Sequence, residues 1–214
     1  MLSMLSEESY SAVVTKTIGA RFVTALPEGY ETRNDWPLLI ALHGVGERGD
    51  DLGLLQAHGI VRSLAEGKRP PMVIVAPQCP DGERWDPEIV LGLVENACER
   101  YSVDPSRVFL TGLSMGGEGV WAAAMRAPTR FRALSVFCGR GVALGNAWAL
   151  RETPIWVVHG DADLAVPVEE SRRMVAAMEK VGGKVRYDEL PGADHFIWQP
   201  YYDGDELYEW LLSV

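Results

Sequence analysis

The stretch Gly112-Leu113-Ser114-Met115-Gly116 has the form G-x-S-x-G. A serine hydroxyl is a weak nucleophile until a base takes its proton, so the pattern carries chemistry only where the hydroxyl is exposed and a base can reach it. Its surroundings suit that role. Arg107-Val108-Phe109-Leu110 reads as a short strand, and Glu118 to Arg126 as a buried helix. A serine between a strand and a helix sits on a sharp turn, and small neighbours such as Gly112 and Gly116 let the backbone crowd there. Such a turn pushes the Ser114 hydroxyl outward. It also sets the N–H of Met115 at the start of a helix, where a developing oxyanion is stabilised. A glycine-rich turn with a bystander serine is the alternative, and the strand–turn–helix context argues against it.

The base is sought among four histidines, His43, His58, His159 and His195. Imidazole is the usual acceptor of a serine proton near neutral pH. His195 follows the run Lys184 to Leu190 and lies downstream of the serine, which makes it the candidate. His58 falls in a helical pattern. His43 and His159 each end a strand in a His-Gly pair and can be structural. The third member should be a carboxylate between serine and histidine in the chain. The loop His159-Gly160-Asp161-Ala162-Asp163 offers two. Gly160-Asp161 is a turn-forming pair that suits local backbone capping, so Asp163 is favoured over Asp161. A second oxyanion donor is expected from His43-Gly44-Val45-Gly46, where the N–H of Val45 is the natural choice. No Gly-Lys-Ser/Thr follows, so a phosphate loop is excluded.

These residues need a scaffold. Leu38 to Leu42 and Met72 to Ala76 are continuous apolar runs, as expected of strands covered on both faces. Ala12 to Thr17 and Arg21 to Leu26 read as a hairpin around Ile18-Gly19. Leu54, Leu55, His58, Val61, Leu64 and Ala65 recur at helical spacing. Asp86-Pro87-Glu88 is an N-cap, a Pro at the first helical position and an acidic first turn. Ile89, Val90, Leu93, Val94, Ala97 and Cys98 then give that helix one apolar face. Ala133 to Cys138, Ile155 to Val158 and Lys184 to Leu190 are further strands, while Val168 to Lys180 and Asp205 to Leu212 are helices. The pattern predicts an α/β fold: eight strands, a mostly parallel sheet, helices on both faces and an antiparallel hairpin at one edge. In such sheets reactive groups gather at the carboxyl ends of the strands.

Composition sets the outer bounds. A chain of 214 residues suits a single α/β domain over 1–214. A net charge of -10 disfavours nucleic acid and anionic membrane surfaces. Cys79, Cys98 and Cys138 lack metal-ligand spacing and are odd in number; Cys98 and Cys138 sit in apolar runs and read as reduced core residues, which points to a cytoplasmic location. The opening residues carry no basic stretch followed by a long apolar run, so neither a signal peptide nor a membrane span is expected. A homodimer stays open.

Taken together, Leu42 to Asp51, Ala76-Pro77-Gln78-Cys79-Pro80, Gly112 to Gly117, His159 to Asp163 with Val166-Pro167, and Pro191 to His195 with Trp198 resemble the α/β-hydrolase superfamily over nearly the whole chain. More narrowly, the chain looks like the small phospholipase/carboxylesterase and dienelactone-hydrolase-like group, which includes predicted peptidases and feruloyl-esterase-like proteins. The resemblance implies Ser114, Asp163 and His195 as a catalytic triad, with no metal and no organic cofactor. Two positions depart from it. Glu118 stands where relatives often carry an aromatic or small residue, and it is a candidate for substrate selection at the pocket mouth. Phe196 follows His195 where relatives often have a polar residue.

Only fourteen residues separate Gly139 from Pro154, where many lipases insert a lid, so no large lid is expected. Trp85 and Trp198 are candidate pocket walls. The expected activity is a serine carboxylesterase cleaving small-molecule esters through an acyl-enzyme. An acyltransferase, peptidase or thioesterase with the same triad, and a non-catalytic binding protein of the same fold, are the other classes.

Overall fold

Along Trp36–Leu42 (β2) every residue is buried, and the side chains alternate between two cores. Leu38, Ile40 and Leu42 join one cluster, while Leu39 and Ala41 join the other. A strand loaded with apolar side chains on both faces has to be covered on both. That requirement sets the three-layer architecture seen in the computed structural model, which describes residues 15–214.

Around β2 lie Arg21–Ala25 (β1), Val73–Gln78 (β3), Val103–Leu113 (β4), Ala133–Phe137 (β5), Ile155–Gly160 (β6) and Val185–Leu190 (β7). The sheet order is β1-β3-β2-β4-β5-β6-β7. All neighbours are parallel except β1, which runs antiparallel to β3 with Arg21 opposite Gln78. The helices are Gly59–Ala65 (α1), Pro87–Arg100 (α2), Met115–Arg126 (α3), Glu169–Lys180 (α4), Gln199–Asp203 (α5) and Glu206–Ser213 (α6). Val90 and Val94 of α2, Val120 and Trp121 of α3, and Met174 and Met178 of α4 fill one core. Ile60 of α1, Tyr202 of α5, and Leu207 and Leu211 of α6 fill the other.

The sheet differs from expectation in its count. Seven strands, not eight, are present among the described residues. Of the expected strand Ala12 to Thr17, positions 12–14 lie outside the described residues, and Thr15 to Thr17 belong to no strand. The antiparallel edge therefore comes from β1 on β3 rather than from a hairpin. The helical run expected over Leu54 to Ala65 is also broken, into a 3₁₀ turn at Leu52–Ala57 and α1. Gly59 causes the break: its φ is +65°, and a Cβ there would lie 2.8 Å from Leu113 Cδ2. Asp86 caps α2 as expected, accepting from the Glu88 N–H at 2.9 Å. Between β5 and β6 stands one 3₁₀ turn, Leu144–Leu150, and no large lid.

The carboxyl ends of β2, β4, β5, β6 and β7 share one edge, and the chain turns most sharply there after β4. Ser114 has φ 54° and ψ -116°, a conformation a non-glycine residue holds only under constraint. The constraint is close packing. A Cβ on Gly112 would lie 2.3 Å from the Gly116 carbonyl, and one on Gly116 would lie 2.1 Å from the Leu42 carbonyl. Gly116→Ala must therefore push α3 off β2. A loss of stability on the order of 3 kcal/mol is expected, read as a lowered urea midpoint. Gly46→Ala, where a Cβ meets nothing within 4 Å, is the matched control and should change little.

Candidate active site

Three side chains meet above the end of β4. His195 Nε2 lies 2.9 Å from Ser114 Oγ, and His195 Nδ1 lies 2.6 Å from Asp163 Oδ2. An ionised carboxylate only accepts, so Nδ1 carries the proton and the Nε2 lone pair is left for the serine O–H. Asp163 Oδ1 accepts from the N–H groups of Ala165 and Val166, each at 2.8 Å. Burial by itself would raise the Asp163 carboxyl. The hydrogen bonds from His195, Val166 and Ala165 outweigh it and hold the group below its ordinary value. Asp161 lies elsewhere: its Oδ1 accepts from the Gly192 N–H at 2.6 Å.

The segment after β2 passes directly over the serine. A Cβ on Gly44 would lie 3.6 Å from Ser114 Cβ. Val45 opens a 3₁₀ turn and Met115 opens α3. An N–H at the first position of a helical turn has no partner within that turn, so both can serve a negatively charged oxygen. Buried bonds fix the segment. His43 Nε2 accepts from the Cys79 N–H at 2.9 Å, and its Nδ1–H donates to the Gly44 carbonyl at 2.5 Å. Gln78 Nε2 donates to the carbonyls of Glu47 and Asp51 at 2.9 and 2.7 Å. Burial pushes His43 down to about 4, with Arg48 adding to the shift against the pull of the Gly44 carbonyl. Burial also raises the carboxyl of Glu47, whose side chain lies beneath the same loop.

The two tryptophans expected as pocket walls are both buried. Trp85 is 7% exposed, and its Nε1–H donates to the His43 carbonyl at 3.0 Å. The indole N–H needed a buried acceptor, and satisfying it drew the ring under the loop. Trp198 is 3% exposed and meets His195 edge-on, with ring centroids 5.4 Å apart. It backs the imidazole rather than facing solvent. Glu118 stands in the first turn of α3 and is clamped by Nε and Nη2 of Arg84, Nε–Oε1 being 3.1 Å. Its charge is thus partnered at the rim. Phe196 is the aromatic ring that does reach solvent, 62% exposed beside His195, His58 and Trp198.

Two residues at this site escaped the sequence reading. Cys138, at the end of β5 with φ 40°, donates its thiol to the His195 carbonyl at 3.4 Å. Burial pushes that thiol up, so it stays protonated. His159 lies against Asp163, with Nε2 3.2 Å from Oδ2. Cys138 Sγ, an Asp163 oxygen and a His195 nitrogen lie within 4.8 Å of one another. That is a metal-like grouping, but the two Asp163 oxygens already accept from Ala165, Val166, His195 and His159. The donor set is committed to hydrogen bonds. His159 had one sequence signal, its place at a strand end four positions before Asp163; Cys138 had none, since a cysteine in an apolar run reads as core.

Known proteins bear on this arrangement. The solved structure of a thermostable esterase superposes with a TM-score of 0.76 at 32% identity, covering 90% of this chain and 58% of that one. The chain has the α/β-hydrolase fold. Its residues 142–213, which include Asp163 and His195, match the model of the Prolyl oligopeptidase family. A probable feruloyl esterase C of Aspergillus terreus is 27% identical over 160 residues, 71% of this chain and 57% of its own length. A bifunctional acetylxylan esterase/xylanase of Neocallimastix patriciarum is 30% identical over 134 residues, 59% of this chain and 19% of its own length. The chain thus spans a little over half of one curated relative and a fifth of the other. No helix among the described residues is long and apolar enough to cross a membrane.

The buried His43 gives the site an acid limit. Its folded value, about 4 against an ordinary 6.5, is depressed. Between those two pH values the unfolded chain binds the proton more readily. Its contribution to stability is therefore complete above about pH 6.5 and is lost as pH falls through about 4. It amounts to about 3 kcal/mol at most. Urea unfolding at pH 7 and pH 4.5 should show a steeper decline in the wild type than in His43→Gln; equal slopes would contradict the assignment.

Proposed function

We propose that the chain is a serine hydrolase that cleaves carboxylic esters of small to medium size through an acyl-enzyme on Ser114. The observation that carries this reading is the hydrogen-bonded line from Ser114 Oγ through His195 to Asp163, set on a serine with left-handed φ. Ser114 Oγ attacks the ester carbonyl carbon while His195 Nε2 takes the hydroxyl proton. The N–H groups of Val45 and Met115 receive the resulting oxyanion. When the tetrahedral centre collapses, the bond to the leaving oxygen breaks and His195 returns the proton to the departing alcohol. Water then repeats the sequence in the second half-reaction. His195 takes its proton, its oxygen bonds to the acyl carbon, and the free acid leaves as Ser114 regains its hydrogen. Asp163 remains a carboxylate throughout and stabilises the imidazolium.

Relatives named for feruloyl and acetylxylan esters support a small or aromatic acyl group. The exposed ring of Phe196 beside His195 offers an apolar face to it. The short segment between β5 and β6 leaves the site uncovered, which favours water as the acyl acceptor.

A fluorophosphonate should label Ser114 alone. Ser114→Ala should abolish labelling and lower kcat by about 10⁴ to 10⁶. Asp163→Asn should lower kcat by roughly 10⁴ with the fold intact, while Asp161→Asn should affect thermal stability more than rate. Labelling elsewhere, or full turnover without Ser114, would refute the reading.

On p-nitrophenyl esters of increasing chain length, rates should fall beyond short acyl groups, because an uncovered site buries few methylenes at about 0.8 kcal/mol each. No jump in rate is expected as substrate passes its critical micelle concentration. A jump, or a preference for long chains, would mean that another segment covers the site.

A further inference from the structure

Asp163 Oδ2 carries one hydrogen bond more than an acid–imidazole–serine line requires. Its Oδ2 faces not only His195 but also His159, a residue with no solvent exposure. His159 Nε2 lies 3.2 Å from that oxygen and 2.9 Å from the Val166 carbonyl. Both are acceptors, so Nε2 carries the proton and shares it between them. Nδ1 is then the acceptor, and Ser171 Oγ–H of α4 donates to it at 2.7 Å. Ser171 is buried and so cannot trade this bond for water. One imidazole thus closes a ring of contacts. It holds the Val166 carbonyl and Asp163 Oδ2 on one side, while the Val166 N–H holds Asp163 Oδ1 on the other.

We propose that His159 is a positioning residue of the Ser114–His195–Asp163 line: its Nε2–H aims Asp163 Oδ2 at His195 and draws part of the carboxylate charge away from it, with Ser171 fixing the tautomer. This rests on the serine-hydrolase reading of the site. A carboxylate that shares its charge with a second donor stabilises an imidazolium less than one that does not.

The neighbouring groups allow a clean measurement. Cys138 faces the pair from the end of β5, and burial keeps its thiol protonated. Glu189 of β7 lies opposite His159 in the sheet register. Hydrogen bonds from Arg172 of α4 and from Tyr187 hold Glu189 at about 2, so it stays charged. Asp161 is engaged by the Gly192 N–H.

The test compares His159→Asn with His159→Gln. The shorter amide reaches the place of Nδ1 and keeps Ser171, but not Asp163. The longer amide reaches the place of Nε2 and can restore the donor. In His159→Asn the acid limb of the kcat/KM profile on a p-nitrophenyl ester should move to higher pH by roughly half a unit to one unit. Plateau kcat should fall roughly tenfold with KM little changed. His159→Gln should return both toward wild type. The His195 ring signals in NMR should report the same midpoint shift without any turnover. Should His159→Asn fail to fold, Ser171→Ala, which frees the tautomer, should give a smaller shift in the same direction. Unmoved midpoints in the folded variants, or equal behaviour of Asn and Gln, would overturn the role of His159. Full esterase activity in Ser114→Ala would instead overturn the underlying reading.

Discussion

The structure turns on the absence of room where β4 hands over to α3. Gly116 lies against the Leu42 carbonyl, Gly112 against the Gly116 carbonyl, and Gly117 against Gly139, so that a Cβ at any of them would sit within 2.8 Å of backbone. The Ser114 N–H meanwhile donates to the Phe137 carbonyl at 2.8 Å. The ends of β2, β4 and β5 are thereby tied to one point. A strained residue of this kind costs on the order of 1–3 kcal/mol and persists only where its surroundings over-determine it. Here they do: Leu42, Leu110, Val120 and Trp121 are all buried around the junction. The direction of α3, the height of Ser114 above the sheet and the path of the Gly44 segment follow from that single contact set.

A second regularity links the two His-Gly pairs. His43 directly follows β2 and His159 lies at the end of β6, and both are buried. Each uses one ring nitrogen as donor and the other as acceptor: His43 between the Gly44 carbonyl and the Cys79 N–H, His159 between Asp163 with Val166 and Ser171. Neutral imidazole is suited to this, since it offers one N–H and one lone pair on opposite sides of a rigid ring. A strand end releases backbone groups from the ladder, and a buried loop must satisfy them. The two histidines do so on either side of Ser114. In each case the following glycine lets the chain pass close to another element: a Cβ on Gly44 would meet Leu113, and one on Gly160 would meet the Ala193 carbonyl.

How much of this could be read beforehand depended on whether the information was local. The continuous apolar run of β2, the cap at Asp86 and the strand–turn–helix around Ser114 are local, and each appears where the pattern put it. Turn chemistry at Gly160-Asp161 likewise marked Asp161 as a backbone partner, and it accepts from Gly192. Non-local satisfaction was hidden. The sequence shows two tryptophans near loops but not which carbonyl an indole will find, so Trp85 and Trp198 read as walls while the fold buries both. The helix read as continuous through Gly59 because the close approach of Gly59 to Leu113 is a tertiary fact. The edge of the sheet was misplaced for a related reason: β1 finds its antiparallel partner in β3, about fifty positions away.

The relation between Asp163 and His195 does not depend on the imidazole–carboxylate bond alone. The two residues sit on loops after β6 and β7, and those loops are zipped together beneath them. The Ala162 N–H donates to the Ala193 carbonyl at 3.0 Å, and the Asp161 N–H to the Leu190 carbonyl at 3.1 Å. Asp161 Oδ1 takes the Gly192 N–H, and Cys138 holds the His195 carbonyl from β5. Trp198 supports the ring from behind. Loops are ordinarily the mobile part of a fold. Here the backbone contacts between them set the distance from carboxylate to imidazole before either side chain chooses a rotamer. Asp163, held on both oxygens, and His195, held through its carbonyl and its ring face, are then left few alternatives. The geometry at Ser114 is thus a property of three strand ends and two stitched loops, which is how a sheet edge open to water keeps three polar side chains in line.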